Sequence, residues 1–232
     1  MKWLITYQNL WTNFLRIMEN NNFTAYQFEN YDVEGLKLEI NFSNTDFIEI
    51  KTHEEINTPI ENIEDSFDPL LFGIDMNIKN IGHMDDLKGK KIILLDGHHR
   101  YEYLKRNNID KSIELVLISI DDVEILSYPA HLTIAKKEFE EILENYNFSN
   151  NVSSEFYVSL DDVKFFNRKI EDIYQLYEFK NYCYVNEYIN SAVDGNQAND
   201  KSIVNFTPIK ISEIIENDSL FPPKSTWITP RL

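Results

Sequence analysis

The chain contains a single cysteine, Cys183, so it can form no internal disulfide and no cysteine-based zinc site. A lone cysteine in "NYCYV" reads as a small buried apolar residue rather than a nucleophile. Basic residues are scarce: 22 Lys and Arg stand against 39 Asp and Glu, a formal charge of −17. Such a surface repels nucleic-acid backbones and anionic membranes, while leaving room for a local basic pocket around one small phosphorylated ligand. Long apolar runs are missing too. The first, in "MKWLITYQNLW", is broken by Gln8 and Asn9, too short for a signal peptide or a membrane span. The expected compartment is the cytoplasm. With 6 Gly and 7 Pro the chain is not low-complexity, and 13% aromatic residues argue against disorder.

What is present suffices for a core: 232 residues, 43% of them hydrophobic, without an internal repeat or an obvious linker. Leu10, Trp11, Phe14, Leu15 and Met18 recur at helical spacing, predicting an N-terminal helix within residues 1–22. The remainder, 23–232, reads as one α+β domain with room for two lobes. "FTAYQFENYDVEGLKLEINF" and "DFIEIKTHEE" alternate as strands, with Gly35 marking a turn between them. "DPLLFGIDM" fits a short helix or a strand. "KKIILLD" and "SIELVLISI" read as buried strands flanking a helix in "HHRYEYLKRNNI". Further on, "EILSYPAHLTIAK" reads as strand or loop and "KKEFEEILENY" as a helix. "LDDVKFFNRKIED" carries helical signals, whereas "YQLYEFKNYCYVNEYI" is strand-like. "IVNFTPIKISEIIEND" reads as strand then helix, and "SLFPPKSTWITPRL" as an irregular tail.

The chemistry concentrates in "LLDGHHRYE". Gly97 permits a tight turn and a close approach to the backbone. The helix that follows offers unpaired N–H groups and the positive end of its dipole to an anion. Arg100 adds a forked donor suited to phosphate oxygens. Asp96, at the strand end, is able to hold a magnesium ion or position a hydroxyl. His98 and His99 point about 100° apart on a helix, a poor arrangement for ligating one metal. The competing reading of this stretch is a plain strand-to-helix turn, with Asp96 as cap and both histidines in water.

Elsewhere the signals are thinner. "IKTHEE" brings His53 and Glu54 to a strand end, without the second histidine of a zinc-protease signature. Glu54 is either part of a solvated acidic turn or a general base for a hydroxyl acceptor. In "FPPKSTW", Lys224, Ser225 and Thr226 echo a P-loop, but its glycines are missing and two prolines intervene, so no Walker motif is present. His131 in "YPAHL" is a lone histidine.

Taken in order, "THEE", "LLDGHHRYEYL", "YPAH" and "LFPPKSTWITPRL" resemble the DGHHR-motif domain-of-unknown-function family of bacteria and archaea. That family is related to the ParB/sulfiredoxin-like fold and to the free-serine kinases. The sequence departs from the family pattern at Leu132, where an arginine is usual, and at Ile56, where a threonine is usual. The resemblance implies a ParB/SerK-like α+β core, a mixed sheet with flanking helices. It implies a cradle of Asp96, Gly97, His98, His99 and Arg100 at a nucleotide phosphate site, with ATP or ADP and Mg2+ as cofactors. Glu54, Asp96 and His99 are then the candidate catalytic residues. Lys224, Ser225 and Thr226 are candidate phosphate contacts, and His53 and His131 candidate pocket residues. The expected activity is a phosphotransferase on a small hydroxylated metabolite, serine first. Its alternative is a nucleotide-binding module without turnover.

Overall fold

A computed structural model of the chain describes residues 23–41, 48–56, 69–107, 112–192 and 202–232. The predicted N-terminal helix and Ile109 lie outside them. The chain divides into two compact units. The first takes the described residues up to Lys51, those from 69 to Asp122, and Pro230–Leu232. The second takes Thr52–Ile56 and Val123–Thr229.

The first unit is built on a six-stranded sheet. Its strands are β1 (Phe23–Gln27), β2 (Glu34–Asn41), β3 (Glu49–Lys51), β4 (Leu70–Ile74), β5 (Lys91–Asp96) and β6 (Ser112–Ser119), and its helix is α1 (His98–Arg106). The order is β1-β2-β6-β4-β5-β3, with β4 parallel to β6, β3 parallel to β5, and the other pairs antiparallel. Alternate residues of the strands, among them Leu38, Ile40, Leu70, Phe72, Leu94, Leu115 and Leu117, form one core with Tyr101 and Leu104 of α1. Complete burial of each such aliphatic side chain is worth about 1.5–3 kcal/mol. "DPLLFGIDM" resolves as β4, with every residue of Leu70–Ile74 buried. Gly35 is not a turn but the second residue of β2, paired with Tyr26. A Cβ there would lie 2.9 Å from Val116 Cγ1, so close packing rather than chain reversal calls for glycine.

The second unit holds β7 (Glu124–Ser127), β8 (Ala130–Leu132), α2 (Lys136–Asn145), β9 (Tyr157–Leu160), β10 (Val163–Phe166) and α3 (Ile173–Val185). They are followed by β11 (Ile189–Ser191), β12 (Ile203–Phe206), α4 (Ile211–Glu216) and β13 (Thr226–Thr229). One antiparallel sheet runs β10-β9-β12-β8-β11, and β13 pairs with β7 in a second.

Three sequence expectations fail in this unit, each for a local reason. "LDDVKFFNRKIED" is the β9–β10 hairpin instead of a helix. Asp161 at its tip takes a positive φ of 53°, and the Asp161 carboxylate is bonded by Ile203 N–H (3.0 Å) and Lys136 Nζ (2.8 Å). "YQLYEFKNYCYV" is helix α3 instead of a strand. The Asp172 side chain caps it by accepting from Gln175 N–H at 2.9 Å. Its buried stripe, Ile173, Leu176, Tyr177, Lys180, has helical spacing, but the lysine disguises it. The supposedly irregular tail contains β13, and Phe221 forms a parallel bridge with Glu54. Cys183 is buried as expected, and burial pushes its thiol up to about 12. No helix among the described residues is long and apolar enough to cross a membrane.

Candidate functional site

In the first unit, β5 ends at Asp96 and α1 starts two residues later. Gly97 joins them in the left-handed region, at φ 91° and ψ 24°. A Cβ at this position would meet Leu70 Cδ2 at 2.5 Å and Arg100 Nη2 at 3.0 Å. Both the backbone conformation and the space therefore require glycine. The Arg100 guanidinium lies over the bare Cα face of the turn, one helical turn ahead of it. A shift in the β4–β5 register between Leu71 and Phe72 falls opposite this strand end, where Leu71 pairs with Asp96. Gly97 brings no side chain to cap the helix. The first-turn N–H groups thus point past an achiral cap, with a guanidinium alongside.

Asp96 is half-buried, and its Oδ1 accepts from Gly97 N–H at 2.9 Å and from Arg231 Nη2 at 3.2 Å. Asp96 is therefore not the helix cap; it fastens Pro230–Leu232 to the turn. Arg231 lies in the quoted "LFPPKSTWITPRL" segment but was not singled out there, since it follows β13 in a stretch read as irregular. His98 is half-buried and its pKa falls to about 4, through burial first and then the charges of His99 and Arg231. Its imidazole is neutral at pH 7. His99 is exposed. The turn thus concentrates Arg100, Arg231 and backbone N–H groups in an otherwise acidic chain. No group of three or more His, Cys, Asp or Glu among the described residues is placed to hold a metal ion. A single carboxylate such as Asp96 is nevertheless a ligand of the kind magnesium takes, which uses one or two carboxylates and completes its shell with phosphate oxygens and water.

The second unit gathers the other predicted residues differently. Glu54 is not in a solvated turn. Its Oε1 accepts from Thr226 N–H at 2.6 Å and from the Thr226 hydroxyl, and the backbone N–H of Lys224 also binds the carboxylate. Burial raises its pKa, opposed by these hydrogen bonds and by the charge of Lys180. His53, 1% exposed, places Nε2 3.0 Å from Thr226 Oγ1. The hydroxyl proton is committed to the Glu54 carboxylate, so the His53 ring carries its hydrogen on Nε2 and donates to Thr226. Ser225 and Thr226 are buried, whereas Lys224 is exposed in the left-handed region, at φ 62°. His131 sits mid-strand in β8, paired with Asn190 and Ile203. Lys180 joins this group without having been anticipated, and the only sign of it was a lysine on the buried stripe of α3.

No family model matches the chain, and no curated protein matches it in sequence. Solved structures do. The fold superposes on C-terminally truncated SbnI from Staphylococcus aureus with a TM-score of 0.52 at 13% identity, covering 83% of this chain and 82% of that one. A mutant of free serine kinase in complex with AMP gives 0.50 at 13% identity, over 88% of this chain and 92% of that one. The chain has a free-serine-kinase-like fold. A conserved hypothetical protein from Pyrococcus furiosus also matches, with a TM-score of 0.48, 13% identity and coverage of 83% and 90%. At such identities the likeness is one of fold, and function has to be argued from the side chains.

Proposed function

We propose that the chain is a cytoplasmic DGHHR-family protein that binds a nucleotide at the β5–α1 turn and transfers its terminal phosphoryl group to a small hydroxylated metabolite, serine first. The observation that carries this reading is the glycine-capped start of α1 with the Arg100 guanidinium over it. Phosphate oxygens would take the first-turn N–H groups and Arg100. The solved free serine kinase mutant described with AMP bound lends support at the level of fold. Asp96 would hold magnesium, which neutralises phosphate charge when bound. The neutral His98 would turn a ring nitrogen toward the ligand, with the exposed His99 next to it in the chain.

In the reaction, the acceptor hydroxyl oxygen bonds to the terminal phosphorus of ATP or ADP. The bond from that phosphorus to its bridging oxygen breaks, and ADP or AMP leaves. The hydroxyl proton passes to the Glu54 carboxylate. Burial raises the pKa of Glu54, which makes its carboxylate a stronger proton acceptor than an exposed one. Lys224 balances charge, His53 orients Thr226, and Ser225, Thr226 and His131 are supporting groups.

A second reading, nucleotide binding without turnover, draws on a specific observation: Thr226 and Lys224 already occupy the Glu54 carboxylate. The two readings separate by phosphorus NMR of the protein with Mg2+, serine and either ATP or ADP. The transferase reading predicts a phosphomonoester signal growing with donor loss, abolished in Glu54→Gln. Nucleotide binding without that signal for any acceptor supports the second reading.

A further inference from the structure

Lys180 lies in the interior of α3 and is 1% exposed, an expensive place for an ammonium group unless every hydrogen finds a partner. All three do. Nζ donates to Ser127 Oγ at 3.0 Å, to the Tyr128 carbonyl at 3.1 Å and to the Ser225 carbonyl at 3.2 Å. The rings of Tyr177 and Phe206 face it, with centroids at 5.1 and 5.4 Å. The acceptors come from the end of β7 and from the approach to β13, so the ammonium ties α3 to both strands of the small sheet.

One of these contacts reaches Glu54 indirectly. The Ser225 carbonyl and the Thr226 N–H belong to one peptide group. Lys180 holds its oxygen at 3.2 Å, and Glu54 holds its N–H at 2.6 Å. The peptide dipole therefore lies between a cation and an anion, positive end toward the carboxylate. Charge and hydrogen bonding both favour the ionised form of Glu54, against the desolvation that opposes it.

Resting on the assignment of Glu54 as proton acceptor, we infer that Lys180 is a positioning residue, which aims the Glu54 carboxylate and keeps it ionised through the Ser225–Thr226 peptide. Among the described residues, the titratable groups facing Lys180 are Glu54 and Tyr177. Burial lowers the pKa of Lys180 to about 7 with Glu54 opposing the fall, and burial raises that of Tyr177. Coupling of this kind is reciprocal, so each member of the pair reports on the other.

The test is a carboxyl-carbon NMR titration of Glu54 in the wild type, Lys180→Met and Lys180→Arg, with turnover measured in parallel. The expected result is a higher Glu54 pKa in Lys180→Met, restored toward the wild-type value in Lys180→Arg. Each unit of rise above the assay pH removes carboxylate about tenfold, so kcat falls by that factor while nucleotide KM holds. An unchanged Glu54 titration in folded Lys180→Met overturns the inference. If Lys180→Met does not fold, Glu54→Gln decides by the nitrogen resonance of Lys180. A fall in its pKa supports the coupling and an unchanged value overturns it. Absence of turnover in the wild type counts against the transferase reading alone, because the titrations still report on the pair.

Discussion

Arg231 Nη2 stands 3.2 Å from Asp96 Oδ1, binding the start of the DGHHR stretch to a residue 135 positions later. The pair is partly exposed, so its worth to stability is small, below about 1 kcal/mol. Its worth to the site is larger, because it brings a second guanidinium to a turn that already holds Arg100. Arg231→Ala should leave the urea midpoint nearly unchanged and weaken ADP binding by calorimetry. A large loss of stability with intact affinity would reverse that assignment.

Gly97→Ala should be costly on two counts. Alanine resists a φ of 91°, and its Cβ would sit 2.5 Å from Leu70 Cδ2. Backbone strain alone is worth about 1–3 kcal/mol. Denaturant unfolding should show a loss of at least that size. Nucleotide affinity should fall as well, since the clash pushes Arg100 off the turn.

His98 makes stability fall in acid. Its folded pKa, about 4, lies below the usual 6.5, so the unfolded chain binds more protons between those values. Its contribution is complete above pH 6.5 and is lost as the pH falls toward 4. Glu54, with its raised pKa, acts in the opposite sense over part of this window. The informative quantity is therefore the difference between wild type and His98→Gln. Urea midpoints at pH 7, 5 and 4 should show the variant losing less stability than the wild type. Parallel losses would mean that His98 is not buried as a neutral ring.

Thr226→Val removes the hydroxyl shared by His53 and Glu54. His53 is buried and Glu54 partly buried, and each is left short of a hydrogen bond. The expected cost is about 1–3 kcal/mol by denaturant unfolding. Thr226→Ser, which keeps the hydroxyl, should recover most of it.

Much of the first unit was legible in the sequence because its rules are local. The run Ile92–Leu95 followed by Asp96-Gly97 and a helical stripe fixes β5, the turn and α1 without reference to distant residues. The second unit was harder to read. In α3 the buried stripe includes Lys180, whose tolerance depends on oxygens of Ser127, Tyr128 and Ser225, 45 to 53 positions away. The β9–β10 hairpin turns on Asp161, whose carboxylate is satisfied by Lys136 and Ile203. The same holds for the site. Asp96, Gly97 and Arg100 carried their signal in one motif, whereas Arg231 acquires meaning only through Asp96. Glu54 was found at a strand end, but its partial burial, and the grip of Thr226 upon it, are tertiary facts.

In the proposed function, the start of α1 binds the phosphates of a nucleotide. The most direct measurement is isothermal titration of AMP, ADP and ATP with Mg2+ into the wild type and Arg100→Ala. The account predicts binding that strengthens with the number of phosphates and weakens by at least about tenfold in the variant, a difference of about 1.4 kcal/mol. Equal affinity in both proteins, or no binding of any nucleotide to the wild type, would contradict it.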